Sequence, residues 1–262
     1  MEPNGLKLTT PETIHRLENN AVRAWPAEEC LHVAGWGMRF TPRATTRRAN
    51  SAFLADESDY SSLDLLTDAV ESFYHARDRL PRFQIAADRS RDGLDQTLAE
   101  RGYKIEAPVL VQCARAGDVV ARANPIEDVI VDSNLTKPWR TVFEQTIHNP
   151  EDVAGRLDII DRIQPHRGLA YLHHDEEPVA IGLGVIDDGW CGVFCMHTLP
   201  KARRQGKADQ ILSAIAQWAI SRGAQDLYLQ VEEDNDAALA FYESRGFEAA
   251  YRYHYRTLWN DL

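Results

Sequence analysis

Apolar positions along this chain follow two periods, one of helices and one of strands. Thr10 can cap a helix and Pro11 suits its first turn, after which Ile14, Leu17, Ala21 and Val22 fall on one face. Extended stretches are expected around 31–40 and 49–54. Leu63, Leu66, Val70, Phe73 and Tyr74 then recur at helical spacing, followed by a strand at 83–86, a helix around 94–100 and a strand through Val109 and Val111. Beyond position 128 the pattern sharpens. VDSNL predicts a strand, and helices follow near 139–147 and over 153–163. GLAYLHH and VAIGLGVI are two strands joined by the polar turn Asp175-Glu176-Glu177-Pro178, and Asp188-Gly189 marks a hairpin into WCGVFCMHTL. Ile211, Leu212, Ile215, Trp218 and Ala219 form a helical stripe that Gly223 closes in the left-handed conformation. Leu227, Leu229 and Val231 alternate as in a half-buried strand, a short helix covers 237–243, and a last strand carries Tyr251, Tyr253 and Tyr255 on one face.

The two halves share an order of elements. LLTDAVESFYHAR, FQIAA and LDQTLAERGY run helix, strand, helix, and so do ILSAIAQWAISRG, LYLQV and AALAFYESRGF. Matches this short also arise by chance, and duplication is the reading they support. The polar run 116–127, short of large apolar residues, is the expected linker between a first domain over 1–115 and a second over 128–262.

Composition narrows the class. Of 262 residues, 44% are apolar, enough for a sizeable core, and no run reaches the length of a membrane span. The start MEPNGLKLTT has no basic and apolar leader pattern, and Cys30, Cys113, Cys191 and Cys195 have no CxxC spacing. These features predict a cytoplasmic protein with reduced thiols and no metal. A net charge of -11 argues against general nucleic-acid binding. The exception is RFTPRATTRR, with Arg39, Arg43, Arg47 and Arg48, which reads either as a solvated, ion-paired loop or as an anion site.

The stretch with the most chemistry is MHTLPKARRQGKADQIL, where a strand gives way to a basic loop and an amphipathic helix. The first N–H groups of a helix lack internal partners and, with the helix dipole, favour phosphate oxygens. Gly206 permits close backbone approach, Ala208 leaves the first turn unobstructed, and Arg203, Arg204 and Lys207 add positive charge. A diphosphate suits such a loop.

Arg203-Arg204-Gln205-Gly206-Lys207-Ala208 resembles the cofactor signature of the GNAT superfamily of N-acetyltransferases, and VEEDNDAALAFYESRGF resembles the family's second signature. The resemblance covers about 128–258. It implies an α/β (α+β) fold with a mixed, mostly antiparallel central sheet flanked by helices, the acyl-CoA N-acyltransferase fold, here as two tandem copies with a degenerate first one. It further implies acetyl-CoA as cosubstrate and an amine, on a small molecule or a protein, as acceptor. Backbone amides from Arg204 to Asp209 would hold the CoA pyrophosphate. Main-chain groups of Met196 and Thr198, flanking His197, would pair with the pantetheine arm, which requires that strand to splay from the one at Leu227. Asn235 would bond the cofactor and start the next helix, and Tyr242 takes the place of the acid that protonates the departing thiolate. The family permits a homodimer and implies neither a membrane nor a nucleic-acid partner.

The base is less well marked. Where some relatives carry a glutamate this chain has Gln230, so Glu232 is the expected base, with Glu233 and His197 as alternatives. Cys195 and His197 would face the same side of a regular strand, leaving a nucleophile–base pair open, although the resemblance implies direct transfer. The first half lacks the glycine loop, so no second CoA is expected there. Trp36, Arg39, Arg47, Arg48 and Asn50 are its candidates for a wall of the acceptor site, against the alternative that Trp36 is core and the arginines stabilise a loop. Three other readings stay open: another acyl-CoA as donor, a non-catalytic acyl-CoA-binding regulatory module, and a nucleic-acid protein using the arginine stretch.

Overall fold

Thr10 caps α1 (Pro11–Ala24), its hydroxyl accepting from the Thr13 N–H at 3.2 Å in the computed structural model. The structure describes residues 10–33, 35–55, 62–86, 93–123 and 129–259. Residues 1–9, read above for a leader, and 124–127 of the expected linker lie outside the described residues.

The first half continues as β1 (Glu29–Val33), β2 (Trp36–Phe40), β3 (Ala52–Leu54), α2 (Leu63–His75), β4 (Arg82–Ala86), α3 (Leu94–Glu100) and β5 (Lys104–Arg115). Residues 116–122 of the expected linker form α4 (Ala116–Arg122), because Ala116 and Val119 find apolar neighbours to bury against. The second half runs β6 (Val129–Asp132), α5 (Lys137–Phe143), α6 (Pro150–Asp161), β7 (His166–His174), β8 (Glu177–Asp187), β9 (Trp190–Thr198), α7 (Lys207–Ser221), β10 (Asp226–Glu232), α8 (Asp236–Ser244) and β11 (Glu248–Thr257).

Two expectations shift. β6 ends at Asp132 rather than continuing through VDSNL, because the Asp132 carboxylate accepts from the Asn134 N–H at 2.7 Å and turns the chain. The turn after β7 is only Asp175–Glu176, at φ 51° and 65°, so Glu177 and Pro178 already belong to β8.

The described strands form one sheet in the order β1-β2-β3-β4-β11-β5-β10-β9-β8-β7-β6. The pairings are antiparallel except β3 with β4 and β9 with β10. The last strand of each half is seated in the other half. β11 lies between β4 and β5, and β5 pairs with β10 from Asp226↔Arg115 to Glu232↔Val109.

Side-chain alternation on this sheet separates two cores. One buries Ile14 and Leu17 of α1, Trp139 of α5 and Ile160 of α6 against Leu169, Ile181 and Tyr251. The other buries Ile211 and Ile215 of α7 against Ala170, Ala180 and Leu229. A third joins α2 and α3 to Trp36 and Phe83. Although α1 belongs to the first half, it packs on the second, where the Asn20 amide donates to the Asp187 carbonyl at 3.0 Å. No described helix is long and apolar enough to cross a membrane.

Candidate functional site

β9 and β10 pair only through Asp226↔Trp190, Leu227↔Cys191 and Tyr228↔Gly192. At that last pair a Cβ on Gly192 would stand 2.5 Å from the Phe194 ring and 2.6 Å from the Tyr228 ring, so only glycine lets the strands approach there. Beyond it, β10 stays on β5 while β9 stays on β8, and the two diverge. A bulge at Cys195, φ 51°, shifts the β8–β9 register between Leu183↔Phe194 and Ile181↔His197. Leu199 N donates to Val179 O at 2.8 Å. Thr198, one residue earlier, therefore turns its own N–H and C=O into the splay. There its carbonyl accepts from Arg203 Nε at 3.1 Å.

The mouth of this V is the glycine loop. Arg204 and Gly206 take φ 58° and 74°, and α7 begins at Lys207 with Gly206 at its cap. The first helical bond is Gln210 N to Gly206 O, and the N–H groups of residues 204–208 make no hydrogen bond among the described residues. A Cβ on Gly206 would meet no protein atom within 4 Å, so its need for glycine comes from backbone conformation and not from packing. Asp209 lies on the inner face of the first turn, where its carboxylate pairs with Arg245 at 2.5 Å and ties the loop to the end of α8. Asn235 caps α8, its Oδ1 accepting from Ala238 N at 3.1 Å.

Between the strands opens a cleft of about 1000 Å³ lined by Met196 and His197 of β9, Gln230 and Glu232 of β10, Asn235, and Tyr242 of α8. Burial pushes the Tyr242 phenol above its ordinary value of 10, and its hydroxyl has no hydrogen-bond partner among the described residues. Burial, reinforced by the charge of Arg203, holds His197 below 6.5, so its imidazole is neutral at physiological pH. Glu232 is half exposed and paired with Arg47 at 3.2 Å, while Glu233 pairs with Arg252 at 2.6 Å. Gln230 accepts from the Tyr253 hydroxyl at 3.3 Å. Burial carries the Cys195 thiol up to about 12 and no hydrogen bond joins it to His197 among the described residues, so the nucleophile–base pair left open above does not form.

Arg47 and Arg48, expected as a wall of the acceptor site, do line the cleft. Trp36, Arg39 and Asn50 do not. Trp36 is core, packed edge-on to Phe83. Arg39 is buried and spends its donors on Ser51 and Gln84, both at 2.7 Å through Nη2. Asn50 braces its own loop, bonding Thr41 N and Ala44 O.

Sequence reasoning missed Glu106 and Arg82, which the exchange of β5 brings to the cleft. Glu106 accepts from Thr257 Oγ1 and Arg47 Nε at 2.6 Å each and lies 3.3 Å from Arg82. Burial works to raise its carboxyl, but the hydrogen bonds from Thr257 and Arg47 with the nearby charges outweigh it, and the net shift is downward. Among the described residues no group of three or more histidine, cysteine, aspartate or glutamate side chains is placed to hold a metal ion.

Residues 11–256 match the sequence model of the family described as "Probable histone acetyltransferase Rv0428c C-terminal". The Bacillus subtilis protein "Uncharacterized N-acetyltransferase YobR" is 26% identical over 254 residues, covering 94% of this chain and 98% of that one. The Mycobacterium tuberculosis protein "Probable histone acetyltransferase Rv0428c" is 25% identical over 248 residues, covering 92% of this chain and 73% of that one. Among solved structures, a GCN5-related N-acetyltransferase from Kribbella flavida superposes with a TM-score of 0.68 at 17% identity, covering 93% of this chain and 94% of that one. A tandem GNAT protein from the clavulanic acid biosynthesis pathway does so at 0.63 and 12% identity, covering 79% and 74%. These two share the fold.

Proposed function

The chain belongs to this acetyltransferase family, within the GNAT superfamily, and from that premise we propose that it moves an acetyl group from acetyl-CoA to a primary amine by direct attack in a ternary complex. The observation that carries the reading is the run of unpartnered N–H groups over 204–208, set at the mouth of a splay between two strands. Arg203, Arg204 and Lys207 add charge for a diphosphate, with Gln205 and Ala208 in the same turn. Met196 and Thr198 offer main-chain groups to a pantetheine arm lying along the open side of β9. Asn235, at the start of α8, lines the same path.

Acetyl-CoA supplies a thioester acyl group. The neutral amine attacks its carbonyl carbon, the N–C bond forms and the C–S bond breaks. Thr198 N–H, turned into the splay, is the donor for the oxyanion. Tyr242, held protonated by burial, gives its proton to the departing thiolate. His197 takes the proton from the amine. It fits that role better than Glu232, whose carboxylate is held by Arg47 in a half-exposed ion pair.

The test is release of CoA thiol from acetyl-CoA across a panel of primary amines, with the acetylated amine identified by mass. Tight CoA binding without turnover of any amine moves the chain to the class of acyl-CoA-binding modules. Faster turnover with longer acyl-CoAs would change the donor but not the site.

A base is active when deprotonated, so activity falls as pH drops through the folded pKa of His197. That pKa lies below 6.5, so the acid limb of kcat/KM is expected below pH 6.5. His197→Gln should remove this limb and lower kcat/KM roughly 100-fold. An acid limb that survives in the variant assigns the proton to another group.

The tandem organisation is part of the same proposal. The run α2, β4, α3, β5 repeats as α7, β10, α8, β11, and each half donates its final strand to the other. The division at 116–127 then marks the join between copies, with α4 inside it, and the CoA loop belongs to the second copy alone.

A further inference from the structure

Four arginines line the cleft, and three of them meet a carboxylate of this chain. Arg47 pairs with Glu106 at 2.6 Å, Arg82 with Glu106 at 3.3 Å, and Arg156 with Asp152 at 3.0 Å. Arg48 pairs with none among the described residues. Its guanidinium carbon lies 5.5 Å over the Phe194 ring, and its Nε is enclosed with no hydrogen-bond partner. Its polar neighbours are the phenols of Tyr253, with which it hydrogen-bonds, Tyr255 and Tyr228. Those of Tyr253 and Tyr228 are pushed well above 10, chiefly by burial, so they stay neutral and leave the charge uncompensated. Desolvation disfavours a partly enclosed guanidinium that has no counter-ion, and its planar donors suit a planar anion.

The position also matters. Phe194 and Cys195 immediately precede Met196, so Arg48 sits beside the bulge where the acyl group is presented. Asp234, exposed and lining the same cleft, offers a carboxylate to an ammonium. A guanidinium without a carboxylate partner matches a single negative charge, whereas a phosphate of charge near -2 would call for a second cation, and the other arginines of the cleft already meet carboxylates.

We infer that the acceptor carries a carboxylate as well as its amine, and that Arg48 receives that carboxylate. The inference rests on the acyl-transfer reading above and narrows it to amino acids and related amino carboxylates.

The experiment offers wild-type protein and acetyl-CoA a set of α-amino acids, each beside its own carboxamide, so that the amine stays and the carboxylate is removed. The acid form is expected to exceed the carboxamide in kcat/KM by at least about tenfold, mainly through KM, and Arg48→Gln should narrow that ratio to within about threefold. Arg48→Lys, which keeps the charge but not the planar fork, should fall between. A ratio near one in the wild type, or an unchanged ratio in Arg48→Gln, overturns the inference. The wild-type comparison needs no variant to fold. If no amine is acetylated, the acyl-transfer reading fails separately, and calorimetry of the same pairs against the CoA complex decides: heat with the acids alone supports the carboxylate site, while equal heat or none with both overturns it.

Discussion

Gly206→Glu is expected to reduce CoA affinity at least about 100-fold while leaving the protein folded. The residue sits at φ 74°, so any side chain there costs about 1–2 kcal/mol of local strain. The new Cβ meets no protein atom, and a carboxylate at the start of a helix is favourable to that helix by about 0.3–1 kcal/mol. The net cost of about 1 kcal/mol lowers the melting temperature by only about 2–4 °C. The same carboxylate stands where the unpartnered N–H groups of residues 204–208 face outward, and it competes with a diphosphate for them. Calorimetry with CoA and a melting curve on the same sample separate the two effects. Affinity within threefold of wild type would remove the loop from the binding site.

Tyr242→Phe is expected to lower kcat about 100-fold with CoA affinity kept within about twofold, as befits loss of a general acid. Nothing inside the chain depends on the hydroxyl, because it has no partner among the described residues, while the ring keeps its packing against Phe241 and Phe247. Loss of turnover therefore cannot be ascribed to unfolding. Burial raises the phenol, so in the wild type the acid is fully protonated through the physiological range and any basic limb from it lies above pH 10. Unchanged kcat in the variant removes Tyr242 from the acid role.

The second half was legible because its signals are local. A phosphate-binding turn needs a glycine at positive φ, cations and the start of an amphipathic helix in one contiguous run, and 203–212 has all three. The alternating tyrosines of β11 and the Asn235 cap are local in the same sense. The bulge at Cys195 was not legible, since an L-residue at φ 51° has no sequence mark. Arg39 was misread because charge in a sequence suggests solvent, while the partners that bury it, Ser51 and Gln84, are 12 and 45 positions away. Glu106 and Arg82 were missed for a related reason. Their place in the cleft follows from which strand lies beside which, and periodicity within a strand does not encode its neighbour. A lone glutamate two residues before proline on an otherwise ordinary strand carries no signal of that kind.

The position of β11 also governs how the protein is born. A chain leaves the ribosome from its N-terminus, and residues 248–257 follow β4 and β5 by well over a hundred residues. Until they appear, β4 and β5 have no strand to bridge them, and β5 already needs β10, made more than a hundred residues later, on its other edge. The N-terminal portion therefore waits with open edges until β10 and β11 have both been made, a delay in which chaperone cover has its greatest value.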